Sequence, residues 1–307
     1  RQMCIRDRTY AYCDVLVAGG GIAGLKAAKD AADQGRRVIL MEQTPHWGGR
    51  APVDETAIDG RPVQEWLDAA VTALAARDNV TILTRAMVFA VHDHGYCLAE
   101  QTLAGAGPRK RLWRIRAGRV IAATGAIERP IPFAGNDIPG VMLASAVRDY
   151  AVNHAVSPGD RTVIVTTNDS AYLTALALHA AGLSVPVILD ARDRATGDLP
   201  ARARAAGIRV ETGRAIVGVK GGKRVRSVRI GLIAGEGAAL EEIACEAVAM
   251  SGGWSPVVHL YSHCGGKLMW DAPAQAFVPD PARPPLNHDG AALVECAGAA
   301  AGAPGGG

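Results

Sequence analysis

The sequence predicts an α/β fold: two parallel-sheet units, the first carrying a small antiparallel β insertion. Three observations lead there. A short apolar run, a glycine turn, a helical stretch and a second apolar run follow one another between Cys13 and Glu42. The strand–helix–strand pattern returns between Arg161 and Asp190, this time without the glycines. Between the two, three segments alternate apolar and polar residues, as half-buried antiparallel strands do.

The first unit opens on Asp14-Val15-Leu16-Val17-Ala18, an apolar run suited to a strand buried on both faces. Gly19, Gly21 and Gly24 then fit G-x-G-x-x-G, with Gly20, Ile22 and Ala23 filling the intervening positions. Each glycine has a physical reason. The first permits the tight turn, the second lets a diphosphate approach the main chain, and the third lets the following helix lie close on the sheet. Small and apolar residues at helical spacing run on to Gly35, which stops the helix. Arg37 to Met41 reads as the second strand, and Glu42 closes it, followed by Gln43. A carboxylate at that tip accepts hydrogen bonds from a ribose diol and repels a 2′-phosphate, so NAD or FAD is expected in preference to NADP. The helix start turns unpaired N–H groups and the positive dipole end toward the phosphates.

A loop with His46-Trp47-Gly48-Gly49-Arg50 follows, whose glycine pair suits a backbone passing close to the diphosphate half of the ligand; Gly49 and Arg50 are the members assigned to the site. Val63 to Arg77 forms an amphipathic helix, with Trp66, Leu67, Ala70, Val71 and Leu74 on one stripe. Val80 to Leu83 is a third short strand. Arg85 to His92, Tyr96 to Leu103 and Leu112 to Arg116 form the antiparallel meander, where Val88 is expected to border an adenine. Arg119 to Ala123 returns to the parallel sheet and ends in Thr124-Gly125 at its ligand-binding edge.

In the second unit, Thr162 to Val165 is a strand, Ser170 to Ala181 a helix, and Val185 to Asp190 a strand with an acid at its tip. The turn between is Thr166-Thr167-Asn168-Asp169-Ser170. It offers no glycine for close phosphate approach, and Asp169 brings a negative charge. This unit reads as a nucleotide-binding fold whose site has degenerated; the alternative is a looser visit by NADH. Ala201 to Ala206 reads as a helix and Arg209 to Thr212 as a strand. A hairpin turns at Gly221-Gly222, a strand at Ala244 to Met250 leads to Ser251-Gly252-Gly253-Trp254, and a last strand, Leu293 to Ala297, runs into Gly298.

These readings divide the chain into 13–150 plus 257–302 as a dinucleotide-binding domain and 151–256 as the second domain. Both ends read as cut, with 1–12 a disordered lead-in and 303–307 a disordered tail. With 49% hydrophobic and 21% charged residues and a net charge of +3, the composition is that of an enzyme core rather than a nucleic-acid surface. No apolar run is long enough to cross a bilayer. Six dispersed cysteines without C-x-x-C point to a reducing cytoplasm and away from a disulfide reductase. No G-x-S-x-G elbow suggests a hydrolase. His259 and His263 are spaced i, i+4 beside Cys264, but no third ligand accompanies them, and no metal site is expected. No residue stands out as a catalytic acid, base or nucleophile.

The runs VLVAGGGIAGLKAA, RLWRIRAGRVIAATGAIERPIPFAGNDIPGVMLASAVRDY, AVAMSGGWSPVVHLYSHCGGKLMWD and ECAGAAAG, spanning Cys13 to about Gly302, closely resemble the alpha subunit of heterotetrameric sarcosine oxidase. The resemblance implies a glutathione- and thioredoxin-reductase-like pair of Rossmann units. It also implies NAD held by Gly19, Gly21, Gly24, Glu42, Gly49, Thr124 and Gly125; Gly20, Ile22, Ala23, Gln43, Arg50, Val88 and Gly298 are expected to join them in the cofactor site. The substrate-oxidising FAD would lie in a beta subunit, FMN at an interface with it, and further small subunits would complete the complex. That complex oxidatively demethylates sarcosine to glycine, with O₂ as acceptor and peroxide as product. The family's ferredoxin-like and folate-binding segments have no counterpart in these residues, so folate binding is not carried over. Gly298-Ala299 stands where flavoproteins of this class place Gly-Asp, which favours NAD, with FAD as the alternative. Two other readings stand beside it: an FAD/NAD(P)-dependent amino-acid or amine dehydrogenase subunit of the proline, opine or cyanide-forming type, and a cofactor-holding module without turnover.

Overall fold

The computed structural model describes residues 6–54, 57–105, 107–235 and 237–303. The chain divides into two units, one of residues 1–127 with 255–307, the other of residues 128–254.

The first unit is built on a seven-stranded sheet with the opening strand, Arg6–Ala18, in its interior. Val38–Met41 pairs with it in parallel on one side and Lys110–Ala122 on the other. Val80–Leu83 extends the first side and Val294–Cys296 the second, both in parallel. Taken along the chain, these strands stand in the order 3-2-1-4-5 of a dinucleotide-binding sheet. The period of two sorts their side chains. Val15, Val17, Val38 and Leu40 face the helices Ile22–Asp33 and Val63–Ala75, meeting Leu25, Ala28 and Leu67. Leu16, Ala18, Ile39 and Met41 face the opposite way and form a second core with Cys97 and Ile115.

The meander is antiparallel, as the alternation predicts: Ala86–His92 pairs with Tyr96–Thr102, which pairs with the first half of Lys110–Ala122. That last strand is continuous, not two segments. Its first half lies between Arg6–Cys13 and the meander, and its second half between Val15–Ala18 and Val294–Cys296. Gly118, where the sequence reading broke it, is simply a position without a side chain close to Asp14, whose carbonyl oxygen lies 3.0 Å from where a Cβ would stand.

The second unit carries a five-stranded parallel sheet in the order Val141–Leu143, Ala247–Ser251, Thr162–Thr166, Ile188–Asp190, Val210–Thr212. Arg214–Gly221 and Val225–Leu232 form the expected hairpin, joined by Glu241–Ala244.

Several expectations need correction. The expected lead-in at 1–12 includes residues 6–12, which are strand and pair residue by residue with Lys110–Arg116; residues 1–5 lie outside the described residues. The alternation in DRTYAY, residues 7–12, belongs to a sheet with one exposed face, a pattern without a continuous apolar run. The division expected at 150 and 256 falls instead at 127 and 254, because Val141–Leu143 pairs with Ala247–Ser251 and the helix Ala144–His154 buries Ala144 and Val147 among Ile164, Tyr172 and Ala249. Of the expected tail, 304–307 lie outside the described residues, while the Ala303 N–H donates to the Gly298 carbonyl at 3.3 Å. The strand expected from Val185 begins at Ile188, just beyond Pro186, and the helix expected at 201–206 starts at Asp198. Among the described residues no helix is long and apolar enough to cross a membrane.

Burial pushes the thiols of Cys13 and Cys97 up to about 12 and that of Cys245 up to about 11. In the unfolded chain such thiols ionise from about pH 8.5, a protonation state the folded chain resists changing. The folded state therefore retains protons that the unfolded state gives up, and stability falls as pH rises from about 8.5 toward 12. Peptide mapping after alkylation at pH 8 is expected to leave these three cysteines unmodified in the native protein and modified in denaturant. Equal modification in both states would contradict their burial.

Candidate functional site

The first turn is shaped by what cannot fit around it. Gly19 has φ +110, and a Cβ there would stand 2.2 Å from the Ala123 carbonyl oxygen. Gly24 brings the helix down onto the turn: a Cβ there would stand 1.9 Å from the Gly19 carbonyl oxygen. Gly21 is different. It precedes the helix with an ordinary φ of −69°, and nothing lies within 4 Å of its Cβ position. Two glycines are thus required by the protein's own packing, while the third leaves open space at the helix N-terminus. That helix runs twelve residues from Ile22 with no acidic residue in its first turn, so its positive end is not offset locally.

Glu42 is 5% exposed and holds the turn in place. Its Oε2 accepts the Gly20 N–H at 2.7 Å, and its Oε1 accepts the Thr44 N–H at 2.7 Å. A carboxylate has about four lone-pair positions. Two are taken by main chain, and two are open to further donors. Its backbone carbonyl accepts the Ala86 N–H at 2.8 Å, tying it to the strand that carries half-buried Val88. Gln43 is exposed.

The next loop returns to the glycine turn. The Gly48 N–H donates to the Gly20 carbonyl at 2.8 Å, and Gly48 bridges Gly21. Gly49, at φ +57, stands close by, its Cβ position 3.3 Å from the Gly21 Cα. The Trp47 ring packs over Gly20, where a Cβ would approach its Cε3 to 2.5 Å. Arg50 closes a two-point ion pair on Asp54, with both hydrogen bonds 2.9 Å.

Thr124 donates its hydroxyl to the Val257 carbonyl at 2.6 Å, and the Gly125 carbonyl accepts the Val257 N–H at 2.9 Å. Gly298, at φ +62, opens a short 3₁₀ turn beside the glycine helix, its Cβ position 2.7 Å from the Ala23 Cβ. The structure therefore gathers Gly19 to Gly24, Glu42, Gly49, Thr124, Gly125 and Gly298 at one end of the parallel strands. Gln43 is exposed and Val88 half-buried beside that crevice, and Arg50 follows Gly49 with its guanidinium on Asp54. Trp47, Gly48 and Ala123 belong to it but were not assigned from sequence. The Gly48-Gly49 pair was the available signal, and only its second member was assigned.

The corresponding place in the second unit is occupied by its own side chains. The Asn168 carboxamide accepts the Ser170 N–H at 3.0 Å and hydroxyl at 2.6 Å, and donates to the Ser251 hydroxyl at 2.9 Å; Trp254 Nε1 donates to the Ser170 Oγ at 2.9 Å. The tip acid, Asp190, is fully buried. It accepts hydrogen bonds from the Tyr172 hydroxyl and from the Arg192 N–H, Nε and Nη2, which fills its capacity. Asp169 accepts a further bond from Arg192 at 2.6 Å. Hydrogen bonding to Asp190 foremost holds the Arg192 guanidinium above its usual range, while burial first and Asp190 second raise the Tyr172 phenol.

A family model described as pyridine nucleotide-disulphide oxidoreductase matches residues 13–273. Sarcosine oxidase subunit alpha of Corynebacterium sp. (strain P-1) is 42% identical over 290 residues, covering 90% of this chain and 30% of that protein. The subunit alpha of Rhizobium meliloti (strain 1021) is 38% identical over 279 residues, covering 89% of this chain and 27% of that protein. The chain thus spans less than a third of the length of these relatives. Among solved structures, thioredoxin reductase of T. acidophilum shares the fold with a TM-score of 0.69 at 17% identity, covering 94% of this chain and 90% of that one.

Gly24→Ala is expected to destabilise the protein by about 1–3 kcal/mol, because the new methyl must displace main chain. Gly21→Ala meets open space and is expected to change stability by no more than about 0.5 kcal/mol. Denaturant unfolding of the two variants checks the contrast. Equal losses at both positions would mean that the space at Gly21 is filled.

Proposed function

The chain belongs to the pyridine nucleotide-disulphide oxidoreductase family, and from that premise we propose that its first unit holds NAD as the nucleotide-binding part of a sarcosine oxidase alpha-type subunit. The observation that carries this reading is the combination of bare main chain at Gly21 with a buried, half-satisfied carboxylate at Glu42. The residues fit the group. The N–H groups of Gly21 and Ile22 would meet the diphosphate, and the remaining lone pairs of Glu42 the ribose hydroxyls. The backbone near Val88 would border the adenine. Gly49, Thr124, Gly125 and Gly298 would line the path of the rest of the molecule.

When bound, a nicotinamide ring supplies a two-electron acceptor. This chain's own residues bind and orient. The two hydrogen bonds that Glu42 accepts fix the turn before any ligand arrives, so little ordering remains to be done on binding. NAD is preferred to FAD because Ala299 cannot offer the carboxylate that a flavin's ribityl chain would meet. The second unit contributes no nucleotide site in this reading, since Asp190 has no acceptor capacity left.

Oxidation of sarcosine to glycine with formation of peroxide is assigned to the whole complex. Its substrate site and FAD would lie on a partner subunit, and FMN at the interface between them.

Extraction of the purified protein is expected to yield a colourless sample that releases NAD, and Glu42→Gln is expected to release far less. Its amide nitrogen cannot accept a main-chain N–H, leaving a buried donor unmet at a cost of about 1–3 kcal/mol. A yellow protein that releases FAD would overturn the cofactor assignment. Addition of the flavin-carrying subunit is expected to restore sarcosine-dependent peroxide formation, and no gain on its addition would count against the family-level activity.

A further inference from the structure

We propose that the outward face of the meander, with the first half of the opening strand, is a docking surface for an acid-rich surface of a separate partner chain. The proposal takes from the functional reading only that the chain works in a complex.

The register builds this face from residues far apart in sequence. Tyr10 stands opposite Arg114, and Tyr12 opposite Arg116, which in turn stands opposite Tyr96. Tyr10 is 70% exposed and Tyr12 54%. The guanidinium of Arg114 lies 5.5 Å from the Tyr10 ring centre, that of Arg37 5.4 Å from Tyr12, and that of Arg116 4.9 Å from Tyr96. Exposed tyrosines and arginines held against one another are the residue types that anchor protein interfaces, presenting large contact area with few side-chain rotors left to freeze.

Charge selects the partner. The two nearby carboxylates each have a cation of their own: Asp14 accepts the Tyr12 hydroxyl and the Arg37 N–H with the Arg37 charge beside it, and Glu100 pairs with Lys110 at 2.7 Å. Arg114 donates to the Tyr10 hydroxyl at 2.9 Å and Arg116 to the His94 carbonyl at 3.4 Å, neither of which neutralises a guanidinium. The face is therefore cationic and fits carboxylates. A second copy of this chain is disfavoured, because a two-fold contact would set the same guanidiniums against themselves. Single-stranded nucleic acid is disfavoured as well. It needs open aromatic faces for base stacking, and here each ring already carries a guanidinium.

Hydroxyl-radical footprinting of the full-length subunit, alone and assembled with its flavin-carrying partner, tests the proposal. Tyr10 and Tyr12 are expected to be oxidised in the free subunit and protected in the complex. The double variant Arg114→Glu/Arg116→Glu is expected to bind the partner about a hundredfold more weakly and to keep its full complement of extracted nucleotide, whereas Arg114→Lys/Arg116→Lys retains much of the affinity. Equal oxidation in both states, or wild-type affinity in the charge-reversed variant, would overturn the proposal. So would protection already present in the isolated full-length subunit, which would mean that another segment of the same polypeptide covers the face. Competition by an oligothymidylate for the wild-type face would point to nucleic acid instead. Nucleotide content reads the first crevice separately: a subunit without nucleotide but with protected tyrosines would sink the cofactor reading and leave this one standing.

Discussion

The first unit depends on one buried carboxylate. Glu42 receives the N–H of Gly20 from the glycine turn and that of Thr44 from its own loop, at 2.7 Å each. The Gly20 N–H is a buried main-chain donor that would otherwise lack a partner, and a charged acceptor makes both bonds short and strong. The grip fixes the distance between the tips of the first two strands. It also places the Gly48–Gly49 loop, which hydrogen-bonds back to the Gly20 carbonyl. The crevice is thus organised in advance by the same group that is chemically suited to face a ribose.

The second unit carries a different arrangement at its strand tips. Its strand tip also ends in a buried acid, but Asp190 turns its lone pairs to Tyr172 and Arg192 instead of to a neighbouring main-chain turn. Where glycines would leave room, Asn168, Ser170 and Ser251 form a closed set of hydrogen bonds. Removing any one member would leave polar groups unmet in a half-buried place, so the network resists being opened by a ligand. Sheet order therefore does not decide function; the atoms at the strand tips do.

Much of this was legible in the sequence, for reasons that differ by element. Val15 to Ala18 and Ala247 to Met250 are continuous apolar runs because both of their faces are covered, and they are read directly. The glycine turn was legible because main-chain approach forbids side chains at Gly19 and Gly24. The strand Arg6–Tyr12 was missed, since its outward face is tyrosine and arginine and its inward face small. The helix Ala144–His154 was missed too: Arg148, fully buried, and Ser145 break the apolar stripe; the Arg148 guanidinium donates to the Thr174 hydroxyl and the Ser170 carbonyl, and the Ser145 main-chain N–H donates to Glu128. Polar residues buried through partners remote in sequence leave no local periodicity. The same remoteness hid the tyrosine–arginine face, whose members meet only through strand register.

A crystal structure of the protein soaked with NAD tests most directly whether the Gly21 and Glu42 crevice holds the nucleotide. Bound NAD is expected to place its diphosphate within hydrogen-bonding distance of the Gly21 and Ile22 N–H groups and its ribose hydroxyls on Glu42. A nucleotide bound at Thr166 to Ser170 of the second unit, or a first crevice filled by side chains, would contradict it.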